Sequence, residues 1–218
     1  MGFFITLEGG EGGGKSTQAE LLSRALDAQG RSVVTTREPG GTELGKKIRE
    51  ILLSRSQGPL DPRTELLLYA ADRAQHVQQI VAPALQKNKI VICDRFQDST
   101  TVYQGVARGL NRTWIDHLTE IAGGGLKPDL TFILDIDPEI GLKRSHERLQ
   151  AEQSSEDRFE KEALEFHRKV RQGFLDLAKG EPNRFVIIKA DRTPQKVHEE
   201  ILQIASERLV GRGCSKGL

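Results

Sequence analysis

Short apolar runs alternate along the chain with longer stretches in which apolar positions return every three or four residues. Phe3-Phe4-Ile5-Thr6-Leu7 is a nearly continuous apolar run stopped by glycines, which predicts a buried strand. From Ser16 to Gln29 the apolar Ala19, Leu22, Ala25 and Leu26 keep a helical spacing, and Gly30 closes the stretch. Residues 32–36 predict a second strand. Residues 43–53 and 64–85 predict helices, the second with Pro83 near its end. Residues 89–93 and 130–136 are continuous rather than alternating, the pattern of strands covered on both faces. Helical stretches lie between them at 98–107 and 114–122. Two more helices, 138–149 and 158–178, flank the polar segment 150–157, and a last strand (184–189) and helix (194–209) follow.

Five strands with intervening helices predict an α/β fold, a doubly wound five-stranded parallel sheet with helices on both faces. No repeat or low-complexity linker divides the chain, so residues 1–210 are expected to be one domain and 211–218 a frayed tail. Charge adds little, because 32 basic residues face 31 acidic ones. That balance carries no electrostatic footprint for duplex nucleic acid or an anionic membrane, and no apolar run approaches the length of a membrane span. Gly2 and Thr6 match a myristoylation pattern, but the same residues read as the first strand. The opening stretch also lacks the basic leader of a signal peptide. Cys93 and Cys214 lie far apart, and the five histidines form no cluster in the sequence. A transition-metal site is not expected, and a reducing cytoplasm is.

The chemistry begins after the first strand. Gly9-Gly10-Glu11-Gly12-Gly13-Gly14-Lys15-Ser16 fits G-x-x-x-x-G-K-[ST] in full, between a predicted strand and a predicted helix. Glycines let successive N–H groups point at phosphates, and the helix start adds its positive dipole end. Lys15 is expected to bridge β- and γ-phosphates and Ser16 to offer its hydroxyl to Mg²⁺, with Thr17 next in line. This pattern indicates a nucleoside triphosphate and is silent about the acceptor. A guanine-reading Asn-Lys-x-Asp segment is absent, since Asn88-Lys89 is followed by Ile90-Val91. Asp94-Arg95 ends a predicted buried strand, where ligands bind in such sheets. A carboxylate there can hold the magnesium shell, partly through water, and the guanidinium can grip a phosphate bidentately. A structural ion pair is the plainer alternative.

Asp94-Arg95-Phe96-Gln97-Asp98-Ser99-Thr100-Thr101-Val102-Tyr103-Gln104-Gly105 closely resembles the signature of the thymidylate kinases, with Val102 in place of the usual alanine. Arg37-Glu38-Pro39-Gly40-Gly41-Thr42 looks like the loop after the second strand in bacterial members. Tyr69, Arg73 and Gln75 match the helix that faces thymine in that family. The resemblance runs from about Phe3 to about Leu209. It implies a P-loop kinase that moves a phosphoryl group from Mg-ATP to dTMP, working as a cytoplasmic homodimer.

By matched position the resemblance implies that Glu11 reaches the sugar 3′-hydroxyl, Arg37 and Arg95 hold the dTMP phosphate, and Pro39 walls the pocket. Tyr69 takes the place of a ring stacked on thymine, although spacing alone favours a core tyrosine. Arg73 is expected to donate to thymine O4. Thr100 and Gln104, one helical turn apart, are expected to face the base, and Tyr103 to fill the place of a ribose 2′-hydroxyl. A lid at about 149–157 is expected to close over ATP. Gly12 stands where some members carry an arginine, so the catalytic arginine is assigned to Arg148 or Arg158, with Arg148 first. Arg144 is expected on the ATP side. Two rivals remain at this stage: a kinase of dUMP or dCMP, and a nucleotide switch without catalysis.

Overall fold

The computed structural model describes residues 2–54, 60–153 and 156–211. Strands β1 (Phe3–Glu8), β2 (Val33–Arg37), β3 (Ile90–Asp94), β4 (Leu130–Asp135) and β5 (Phe185–Lys189) form one sheet in the order β2-β3-β1-β4-β5. Every neighbouring pair is parallel. Parallel pairing forces each connection to cross over the sheet, which puts helices on its faces and explains the continuous apolar runs of β1, β3 and β4. The polar exceptions are paired: Thr6 and Thr131 are in register across β1 and β4, their buried hydroxyls 2.8 Å apart.

The helices are α1 (Lys15–Ala28), α2 (Glu43–Leu53), α3 (Pro62–His76), α4 (Ala82–Gln86), α5 (Gln97–Thr100), α6 (Arg112–Gly123), α7 (Pro138–Ala151), α8 (Leu164–Gly180) and α9 (Pro194–Gly211). On one side Leu22 and Leu26 of α1 and Ile201 and Leu209 of α9 pack on Ile5, Leu7, Phe132 and Leu134. On the other, Phe166, Val170 and Phe174 of α8 pack with Ile133, Tyr103 and Phe159. The doubly wound arrangement expected from the sequence is therefore present.

Four helix starts are capped by side chains, and α1 differs from them in a telling way. Thr42, Asp61, Asn111 and Asp137 each accept a backbone N–H at the start of α2, α3, α6 and α7. Helix α1 starts instead at Gly14, in a left-handed conformation, with no side-chain cap and no acidic residue in its first turn. Its leading N–H groups are left for an external anion.

Three predicted helices differ from those formed. The 64–85 stretch is broken by a π-helical segment, Val77–Val81, just before Pro83. Proline has no N–H for the carbonyl four residues back and clashes with it, and the wider turn relieves that conflict. A second π-helical segment, Thr101–Ala107, replaces regular helix after α5. Residues 158–163 are not helical, with Phe159 buried in the core, and α8 begins at Leu164. The beginning of the expected lid, residues 149–151, belongs to α7; Ser154 and Ser155 lie outside the described residues. So do 212–218, including Cys214, while Gly211 closes α9.

Candidate active site

The crossover direction reverses at β1, with β3 on one side and β4 on the other, so a crevice opens at their C-terminal ends. Gly9, Gly12 and Gly14 all take positive φ as the loop wraps from β1 into α1. The tightest point is Gly12, where an added Cβ would lie 1.9 Å from the Gly141 carbonyl oxygen. A Cβ on Gly141 would in turn lie 2.4 Å from the Glu11 carbonyl oxygen. These two glycines let the loop and α7 touch backbone to backbone, which explains why no arginine could stand at position 12.

Lys15 is buried and folds over the loop, its Nζ donating to the carbonyls of Gly9 (3.2 Å) and Gly10 (2.6 Å). Burial, with the Arg95 charge next, pulls its pKa down to about 8. Ser16 donates its hydroxyl to Asp94 at 2.5 Å. These two hard oxygen donors, from the helix start and the end of β3, fit Mg²⁺, which keeps waters and phosphate oxygens in most of its positions. Among the described residues no cluster of three His, Cys, Asp or Glu side chains could hold a metal by itself.

Glu11 lines the same cleft as Lys15 and Ser16 and gathers two donors. Arg95 Nη2 (2.8 Å) and the Tyr103 hydroxyl (2.7 Å) both donate to its Oε1, and neither uses Oε2. Burial would raise the Glu11 pKa, but the Arg95 and Lys15 charges and the Tyr103 hydrogen bond outweigh it and hold it at about 2. Arg95 has φ +67 and lies over the Tyr103 ring; its Nη1 also reaches Gly9 O and Ser99 Oγ. That backbone turn is held from below by Glu8, which accepts from the N–H groups of Phe96 and Ser99 and from the Ser99 hydroxyl. Arg37 is exposed at the end of β2 and lines the same cleft as Lys15, Asp94, Arg95, Pro39 and Tyr69.

Beside this cleft lies a small pocket lined by Tyr69, Arg73, Arg95, Thr100, Tyr103 and Gln104, with Glu38, Phe96 and Ser99. The residues assigned to the base by resemblance thus converge, apart from Gln75, which does not line it. Arg73 is 2% exposed. Its Nε donates to Glu38 (2.9 Å), its Nη2 to Thr100 Oγ1 (3.0 Å), and its guanidinium lies over the Phe96 ring. Glu38 also accepts from His76 Nδ1 at 2.8 Å, and the other ring nitrogen is 2.7 Å from the Thr36 hydroxyl. Buried Asp72 accepts from the Gly40 N–H, fixing the loop that carries Pro39. The Glu38–Pro39 peptide is cis. Sequence reasoning passed over Glu8, Glu38, Glu65, Asp72 and His76. The one available signal was the density of ionisable residues around the matched motifs.

Gly12, Gly13, Gly14, Thr17 and Arg144 line a second hollow with residues 190–194 of the loop after β5. Arg144 Nη1 donates to Ala190 O at 2.9 Å. Arg148 is half exposed and lines the main cleft near Glu160. Arg158 does not line it: its Nη2 is 2.7 Å from buried Glu65 and its Nε donates to Leu52 O. Of the two arginines expected at the transferred group, the structure brings only Arg148 toward the phosphate loop.

The family model described as thymidylate kinase matches residues 7–201. The chain belongs to the thymidylate kinase family. A thymidylate kinase of Pelobacter propionicus is 49% identical over 211 residues, covering 96% of both chains. One from a Synechococcus strain is 53% identical over 207 residues, covering 95% of this chain and 97% of its own. The crystal structure of thymidylate kinase from Ehrlichia chaffeensis superposes with a TM-score of 0.75 at 36% identity, covering 94% of this chain and 98% of that one.

Proposed function

We propose that this cleft transfers the γ-phosphoryl group of ATP to the 5′-phosphate of dTMP, giving dTDP and ADP. The carrying observation is that the cleft holding the phosphate loop and the Arg37–Arg95 pair adjoins the base pocket, with Glu38, Tyr69 and Arg95 lining both. A phosphate oxygen of dTMP forms the new P–O bond in line as the bond to the ADP oxygen breaks. That oxygen is already anionic, so no general base is required, and the catalytic task is alignment and charge neutralisation.

Lys15 releases the loop carbonyls for the β- and γ-phosphates, and the uncapped start of α1 supplies N–H donors. Ser16 and Asp94 would hold Mg²⁺, which would supply positive charge to offset the negative charge of the phosphates. Arg95 and Arg37 grip the acceptor phosphate, and Glu11 Oε2 takes the sugar 3′-hydroxyl. The Tyr103 ring, packed against Arg95, takes the place that a ribose 2′-hydroxyl would need in this reading, which favours deoxy substrates. Tyr69 stacks on thymine and Arg73 donates to O4. Arg148 swings in on lid closure, with Arg144 beside the adenine. The same reading has the chain as a cytoplasmic homodimer. Trp114 and Ile121, two turns apart on α6, and Leu67 on the adjoining α3 expose apolar surface that a second copy would cover.

The test is a coupled ADP-release assay across dTMP, dUMP, dCMP, dGMP and UMP. The expected order in kcat/KM is dTMP, then dUMP, then dCMP; the lost methyl of dUMP costs about 1–3 kcal/mol. Turnover of dCMP equal to that of dTMP overturns the assignment of the base pocket.

A further inference from the structure

The base pocket contains one side chain whose direction cannot be read from its own position. An amide presents either an acceptor or a donor, and the two ends of glutamine have nearly the same shape. Gln104 lies in the pocket wall, 1% exposed, on the π-helical segment Thr101–Ala107. Its Nε2 is 2.7 Å from Glu65 Oε1. Glu65 sits on α3, 1% exposed, outside the pocket lining. The same carboxylate takes the Arg158 guanidinium at 2.7 Å and that of Arg108 at 3.3 Å.

A carboxylate between two guanidiniums can only accept hydrogen bonds, so the Gln104 end that meets it must be the NH₂ group. The carbonyl oxygen is then the end left for the pocket. Turning the amide would set two oxygens against each other in a buried place and leave the NH₂ without its partner. We infer that Glu65 is a specificity-determining positioning residue: it fixes the Gln104 amide so that the base meets an acceptor.

This rests on the pocket being the thymine site. Thymine shows O4, N3–H and O2 along its pairing edge, an acceptor, a donor and an acceptor. Cytosine shows an amine donor followed by the bare N3 acceptor. With Arg73 donating on one side and Thr100 holding the Arg73 Nη2 proton, a fixed acceptor from Gln104 matches N3–H and repels the cytosine N3 lone pair. A freely turning amide would serve either base, because its NH₂ group could donate to cytosine N3. Rejection of cytosine is thus enforced by a carboxylate that does not line the pocket.

Glu65→Gln removes the one-way partner, since a glutamine there can accept from or donate to Gln104. The kcat/KM for dCMP relative to dTMP is expected to rise about tenfold, the size of one oriented hydrogen bond. ATP affinity is expected to be unchanged. In a Gln104→Leu background the pocket has no amide to orient, so Glu65→Gln is expected to leave the ratio where Gln104→Leu alone put it. If Glu65→Gln does not fold, Glu65→Asp keeps the charge for both arginines and withdraws the acceptor by one methylene; the same relaxation is expected. A ratio unchanged in the folded Glu65 variant, or one that shifts equally with and without Gln104, overturns the inference. A parent protein that ignores dTMP overturns the thymine site itself, which the same assay shows separately.

Discussion

Gly141→Ala separates helix propensity from the contact that shapes the phosphate loop. Gly141 lies in the first turns of α7, where alanine is worth about 1 kcal/mol more than glycine to the helix. In a helix touching nothing, the change would stabilise. Here the new Cβ lies 2.4 Å from the Glu11 carbonyl oxygen, and ordinary contact starts at 3.4 Å, so the loop and α7 must separate by 1 Å. Overpacking of this kind costs about 1–3 kcal/mol, so the net destabilisation is about 0–2 kcal/mol. For a domain of this size that lowers the melting temperature by less than about 8 °C. Catalysis is the more sensitive readout. Moving the residue that anchors Arg95 and Tyr103 by about 1 Å is expected to lower kcat about 10²-fold. Thermal melting and steady-state ADP release measure the two effects independently. Gly180→Ala, at the end of α8 with nothing within 4 Å of the new Cβ, is the control and is expected to be neutral or slightly stabilising. A Gly141→Ala protein that melts higher and turns over like the parent refutes the idea that backbone contact with α7 sets the loop.

Alanine variants divide the lid arginines: Arg148→Ala is expected to lower kcat about 10³-fold with little change in KM for dTMP. Arg158→Ala should instead destabilise, because Glu65 loses a buried partner; a larger kcat loss in Arg158→Ala than in Arg148→Ala reverses the assignment. Lys15 titrates at about 8, so ATP affinity is expected to weaken as pH rises through 8; isothermal titration at pH 7 and 9 checks this, and equal affinities contradict it. Lys15→Ala should remove the dependence along with several orders of magnitude of turnover. Burial, then the Asp98 charge, lifts Glu8 to about 8. Between pH 4.5 and 8 the folded protein therefore holds a proton that the unfolded chain has released, and stability falls as pH rises. Glu8→Gln should flatten that slope in denaturant titrations, and an unchanged slope locates the proton elsewhere.

The parts legible in the sequence were those whose physics is local. A strand stopped by glycines, a G-x-x-x-x-G-K-S run and a helix start without a capping side chain follow each other within a few residues. Pro83 reads in the sequence only as a residue near the end of a continuous helix, and the π-helical segment before it was not foreseen. Tyr69 shows the limit: its spacing fits a core residue, and resemblance alone placed it in the pocket that the structure then outlined. Arg158 shows the opposite failure. Its sequence position beside the lid suggested the phosphates, but its partner Glu65 is on α3, and nothing in the intervening chain hints at that pairing. The buried acids were missed for the same reason. Glu65 and Gln104 are 39 residues apart, Glu8 and Ser99 are 91 apart, and each acid alone reads as ordinary helix or strand-end surface.

Those buried acids share one physical task. The reaction needs cations fixed near phosphates, and cations gathered without phosphates repel one another and resist burial. Four of the cations here are held by an oxygen of the protein itself: Lys15 by loop carbonyls, Arg95 by Glu11, Arg73 by Glu38 and Arg158 by Glu65. The partners differ in what substrate can do to them. Loop carbonyls are weak acceptors, and a phosphate dianion outcompetes them for Lys15 outright. Glu11 is a full charge, but Arg95 and Tyr103 share one of its oxygens, which on the proposed reading leaves the other for the sugar hydroxyl. Glu38 and Glu65 are almost wholly buried and keep hold of their arginines whatever is bound. On the proposed reading, the cations that meet phosphate, Lys15 and Arg95, are thus held by partners they can leave or share, while Arg73, which faces the base, is tied by a buried carboxylate.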